Sequence, residues 1–76
     1  MDFLQGVVLP DIKMNDHGTE VKLLQILLNS MNYTCGVVDG IAGIKTMGRV
    51  LEINQLIKLG SSKCTIDTWR YIINHL

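Results

Sequence analysis

The sequence predicts an all-α fold, a compact three-helix bundle preceded by an N-terminal arm, and three observations carry that expectation. Apolar residues recur at helical spacing in three stretches separated by turn residues. No run alternates apolar and polar residues with period two for long enough to read as a strand. Between the first two helical stretches, special-purpose residues crowd into Val38-Asp39-Gly40-Ile41-Ala42-Gly43-Ile44-Lys45-Thr46, as in a structured connector that fixes the angle between two helices.

Residues 1–11 form the arm or linker remnant, and residues 12–76 the domain. The arm is apolar through Phe3, Leu4, Val7, Val8 and Leu9, and it ends at Pro10. Proline disfavours the α region for the residue before it, so no helix crosses Leu9. A turn-rich approach follows, Ile12 to Gly18, in which Asp16 is the candidate N-cap and Glu20 suits the first turn of the helix. The first helix is expected over 18–31. Val21, Leu24, Leu28 and Met31 make its buried stripe, and Leu23, Ile26 and Leu27 widen that stripe until the helix reads as largely buried. Asn32 comes next and suits the left-handed position that closes a helix.

In the connector, Asp39-Gly40 reads as a tight turn, because glycine accepts φ > 0 without steric cost. Gly43 stands where a helix cap is expected, and the Thr46 hydroxyl three residues on is placed to reach back to a free first-turn N–H. The second helix is expected over 44–58, with Thr46, Val50, Ile53 and Ile57 on one face. Ile44, Met47 and Leu51 form a second apolar stripe roughly 130° around the helix. The third helix is expected over 66–75. Thr65 is its N-cap, Asp67 suits its first turn, and Ile66, Trp69, Ile73 and Leu76 form its core stripe.

Composition narrows the function. A chain of 76 residues is one domain with a small core. Seven acidic and seven basic residues balance, with no basic run, which disfavours nucleic-acid binding. No apolar run approaches the ~18 residues of a membrane span. Met1-Asp2-Phe3 lacks the positive start of a signal peptide, so action outside a cell implies release by lysis or a place in a longer chain. Two cysteines, Cys35 and Cys64, are too few for a disulfide scaffold. Neither shares ligand spacing with His17 or His75, so no metal or cofactor is expected. The expected span of the second helix between them also argues for unpaired thiols. No nucleophile, base and orienting group stand in a catalytic pattern, and no pair of carboxylates is placed for hydrolysis, so the chain reads as a non-enzyme.

The residues also carry a family likeness. From Ile12 the order runs through Asn15-Asp16, Gly18, Val21, Leu24-Gln25, Leu28-Asn29, Tyr33 and Gly36. It continues with Val38-Asp39-Gly40-Ile41, Gly43 and Thr46, then Val50, Ile53 and Leu59, and finally Thr68-Trp69. In this register the chain resembles the peptidoglycan-binding domain, the wall-targeting module of bacterial autolysins, spore-cortex hydrolases and phage endolysins. The match needs no gap from Ile12 to Leu59, about 48 of the 76 residues. The resemblance implies a three-helix domain that binds cell-wall glycopeptide, does no chemistry, and works beside an attached or associated wall-hydrolase domain. Two departures stand out. The family's second Asp-Gly-x-x-Gly-x-x-Thr connector is replaced by Ser61-Ser62-Lys63-Cys64-Thr65-Ile66-Asp67-Thr68, without glycine. The usual Phe-Gln of the second helix is Ile53-Asn54.

A wall ligand calls for amide, hydroxyl and charged groups around a shallow groove. Asn32, Tyr33, Thr34, Asp39 and Lys45, which flank the connector, are the candidates, whereas Trp69 falls on the core stripe of the third helix. A second function stays open: an interaction or assembly module, homodimeric or docked to another protein, that uses Ile44, Met47, Gly48 and Leu51. The N-terminal arm, through Phe3, Leu4 and Val8, is the internal alternative for covering that stripe.

Overall fold

Three apolar helix faces turn toward one another and make the core. A computed structural model describes residues 9–76. In chain order they form α1 (Thr19–Ser30), α2 (Ile44–Leu56) and α3 (Ile66–Asn74). α1 contributes Val21, Leu24 and Leu28, α2 contributes Met47, Val50 and Ile53, and α3 contributes Trp69 and Ile72. Ile12, Cys35, Ala42 and Cys64 close the core from the connecting segments. Each fully buried aliphatic or aromatic side chain here stabilises by about 1.5–3 kcal/mol relative to leaving it in water. The fold is therefore the predicted all-α three-helix bundle.

The helices are locked together by short pieces of extended chain. Ile12 and Cys64 form an antiparallel bridge with backbone bonds of 2.9 and 2.8 Å, and His17 pairs with Ile41 in a second bridge. Among the described residues these isolated bridges are the only β pairing. Trp69 is fully buried, and its indole Nε1–H donates to the Pro10 carbonyl at 3.0 Å. That bond meets the one polar demand of a buried tryptophan and holds the start of the described chain against α3. Leu9 packs on the core. The rest of the expected arm, including Phe3, Leu4, Val7 and Val8, lies outside the described residues.

Helix ends follow local chemistry, with one correction. Asn32 has φ 66° and terminates α1 as expected. Thr65 is the N-cap of α3, and its backbone N–H donates to Thr68 Oγ1 at 3.2 Å, the return bond of a capping box. Asp16 is not the N-cap of α1. That position is Gly18, at φ 135°, a conformation open to glycine and strained for other residues. Asp16 instead closes the preceding turn: its carboxylate accepts from the Lys13 backbone N–H at 3.0 Å and from Lys13 Nζ at 2.8 Å. The hydrogen bond from the Lys13 side chain, with the backbone bond next, holds its carboxyl below the ordinary carboxylate range.

Three expectations about burial are corrected. Leu23 and Ile26 are 42% and 50% exposed, so α1 is half-buried rather than largely buried; a helix packed on only one side has no neighbour for its broader apolar face. On α3 the inner residue is Ile72, three positions after Trp69. Ile66 and Ile73 are only partly buried, and Leu76, beyond the helix end, is exposed. Met47 is 4% exposed and belongs to the core. The buried arc of α2, from Ile53 round to Met47, spans about 120° at helical spacing. The expected second stripe of Ile44, Met47 and Leu51 is thus split, its middle residue turned inward and its ends left outside.

Both cysteines are buried free thiols. Burial pushes the Cys35 thiol up and pushes Cys64 to about 12. Native protein at pH 8 is expected to resist alkylation at both thiols and to react fully once unfolded in urea. Cys64 also makes stability fall as pH climbs above its ordinary 9.0 toward 12, because only the unfolded chain releases that proton readily in this window. Mass spectrometry after iodoacetamide, with a urea melt at each pH, checks both; rapid native labelling of Cys64 would contradict the closed core.

Candidate functional site

The site begins with one buried amide. Gln25 projects from α1 and is 1% exposed. Its Nε2 is shared among three acceptors at 3.0 Å: Asp39 Oδ1, the Ile41 carbonyl and Thr46 Oγ1. Its Oε1 accepts the Gly40 N–H at 2.9 Å. One side chain thus satisfies the turn, the strand-like step after it and the first turn of α2. Thr46 was expected to cap α2 through a backbone N–H; its hydroxyl is instead an acceptor for Gln25, and it is buried.

The Asp39-Gly40 turn is the one expected. Gly40 has φ 77°, and a Cβ there would lie 3.1 Å from the Lys22 side chain. Asp39 Oδ1 also accepts the Ile41 N–H at 2.9 Å, the aspartate turn geometry that favours this residue type. The bond from Gln25, followed by that from Ile41, holds the Asp39 carboxyl below its ordinary value of 3.8. One turn along α1, Asn29 pins the start of the same connector. Its Nδ2 donates to the Gly36 carbonyl at 3.1 Å, and its Oδ1 accepts the Cys35 N–H at 2.8 Å.

Held this way, residues 34–36 lie beside the outer face of α2 and form a shallow groove of about 380 Å³. Thr34 and Gly36 line one side; Ile44, Lys45 and Gly48 line the other, with Arg49 and Glu52 at its end. Arg49 Nε donates to the Thr34 carbonyl at 2.8 Å, and its Nη1 pairs with Glu52 Oε1 at 2.8 Å. A second depression, lined by Val37, Asp39 and Ile41, shares Ile44 and Lys45 with the first. Val37 and Ile44 are 78% and 83% exposed.

The sequence candidates therefore divide. Thr34 and Lys45 line the groove, and Asp39 and Lys45 line the neighbouring depression. Asn32 is exposed at the end of α1 and lines neither. Tyr33 is partly buried against the core, and a hydrogen bond with Tyr71 leads the causes that push its phenol up. It belongs to the packing between the connector and α3. Of the expected partner surface, Ile44, Gly48 and Leu51 remain outside and Met47 is withdrawn into the core. Sequence reasoning missed Gln25, Arg49 and Glu52 as shapers of the site. Gln25 stood next to Leu24 in the motif and could have been singled out as a polar residue on a buried face. Among the described residues no group of three metal-ligating side chains converges, and no helix is long and apolar enough to cross a membrane. No protein-family model matches the chain, and no curated protein matches it.

Two expected outcomes test the connector. Gly40→Val should destabilise by roughly 1–3 kcal/mol, the usual cost of forcing a branched side chain into a left-handed position; an unchanged melting temperature would remove the turn argument. Asp39→Asn should be less stable than the native chain at neutral pH. Because the native Asp39 pKa is lowered, its stabilisation is present above 3.8 and is lost as pH falls through the native value. The two unfolding curves should therefore approach one another in acid, and a deficit constant across pH would show that Asp39 acts by shape alone.

Proposed function

We propose that this chain is a non-catalytic module that binds bacterial peptidoglycan and targets a wall hydrolase, of endolysin or autolysin kind, to the cell wall. The observation that carries the reading is the connector. The Asp-Gly-x-x-Gly-x-x-Thr residues that the sequence shares with the peptidoglycan-binding domain are those tied to Gln25, at Asp39, Gly40 and Thr46. That brace sets a shallow groove of mixed charged and aliphatic lining on the surface beside α2. Such a groove suits an extended polymer better than a small substrate, which usually sits in a deep and largely apolar pocket. The place of action is the bacterial wall or the extracellular side, reached by lysis or as part of a longer chain.

An interaction or assembly module, docking a partner or a second copy, is the alternative. With Met47 in the core, it rests on Ile44, Gly48 and Leu51, which stay on the surface of α2. Gly48 has open space where a side chain would stand, so another helix could approach closely there.

Purified chain mixed with bacterial sacculi is expected to sediment with them and to leave their turbidity unchanged. Protein that stays in the supernatant and gains mass with concentration in an ultracentrifuge would favour assembly; clearing of the sacculi by the chain alone would overturn the non-catalytic reading.

A further inference from the structure

We propose that the groove beside α2 takes the peptide arm of the wall polymer through its carboxylates and leaves the sugar strand uncontacted. This rests on the wall-binding reading and goes beyond it by naming the part of the polymer that is recognised.

Sugar rings bind proteins by laying their C–H faces on exposed aromatic rings. Among the described residues the groove has none. Trp69 is fully enclosed and bonded to Pro10, and Tyr33 is partly buried against the core. Tyr71 itself stacks on His75, ring centroids 3.9 Å apart, away from the groove. Among the described residues no aromatic side chain lines either depression.

The groove offers charge and small aliphatic surface instead. Among the described residues lining it, Lys45 and Arg49 supply two cations against the carboxylate of Glu52. Arg49 is pre-oriented: the Thr34 carbonyl holds Nε and Glu52 holds Nη1. A guanidinium has five N–H donors in a rigid fork, so three remain for a ligand, in a geometry suited to a carboxylate. Holding the fork in place beforehand removes much of the entropy cost of binding. Exposed Ile44 and Val37 flank these charges. The peptide arms of peptidoglycan carry this complement: free carboxylates, an ammonium on a diamino acid for Glu52, and alanine methyl groups for the aliphatic rim.

The test titrates the intact chain by two-dimensional amide NMR with two probes, a synthetic stem pentapeptide bearing its free carboxylates and a tetramer of N-acetylglucosamine. The pentapeptide is expected to shift the amides of Thr34, Gly36, Lys45 and Gly48, and the sugar to shift none of them. Its affinity should fall roughly tenfold when the peptide carboxylates are amidated, and as much in Lys45→Gln, the scale of one hydrogen bond to a charged group. Lys45 is exposed, so that variant keeps the fold, and its unchanged spectrum elsewhere verifies this. Arg49→Gln should weaken binding further. Shifts produced by the sugar at these amides, or sacculus binding undiminished in the Lys45→Gln, Arg49→Gln double variant, would overturn the peptide assignment while wall binding stands. Failure of the native chain to bind sacculi would overturn both.

Discussion

The geometry of the connector depends on the carboxamide of Gln25. Four polar groups, three on the loop and one in the first turn of α2, are drawn to a single point inside the bundle, at 2.9–3.0 Å each. Without that amide the exposed Asp39 and Ile41 oxygens would turn to water, while the buried Gly40 N–H and Thr46 hydroxyl would be left unpaired at about 1–3 kcal/mol apiece. The amide is suited to the task because it donates and accepts at once. A carboxylate there would repel Asp39, and an aliphatic side chain would satisfy none of the four. The connector is thus shaped from the α1 side, and the groove beside α2 inherits its outline from a residue that does not line it.

The same device recurs at the other end of the bundle. Asn54 on α2 is fully buried, and its Nδ2 donates to the Ser61 and Lys63 carbonyls, both at 2.8 Å. Its Oδ1 accepts the Thr68 hydroxyl at 2.5 Å. Gln25 reaches Thr46 and Asn54 reaches Thr68, so each connector is closed between an amide on the preceding helix and a threonine on the following one. The second connector, free of glycine from Ser61 to Thr68, is closed by an amide one methylene shorter, with the same bonding logic. This explains how 76 residues with few aromatic side chains hold a defined shape: the loops are tied by buried hydrogen bonds where the core alone is small.

The number, order and approximate limits of the helices were legible because helical periodicity and turn residues are local signals. Asn32 and Gly40 were legible for the same reason: a left-handed position asks for a particular residue type wherever it occurs. Burial was less so. Whether Leu23 or Ile26 meets a neighbour depends on how many helices pack against α1, which spacing along one helix does not contain. Met47 was placed outside by a stripe that ignored the width of the buried arc. Asp16 has the right chemistry for an N-cap, but Gly18 has the right backbone, and the backbone prevailed. At the site, Lys45 and Thr34 could be named from their nearness to the connector. Arg49 and Glu52 could not, since their place against Thr34 exists only once the loop has been folded back.

The bonds that close this fold differ greatly in how much chain they span. Thr68 to Asn54 closes 14 residues and Gln25 to Thr46 closes 21, whereas Trp69 to Pro10 closes 59. Loop-closure entropy grows with the logarithm of length, so the longest closure costs only roughly 1 kcal/mol more than the shorter pair. It nonetheless gains nothing until its two ends have been brought together by something else. Each helix pair is clasped by its own amide over a short span of chain, and the tryptophan bond is the latch that joins the beginning of the domain to its last helix.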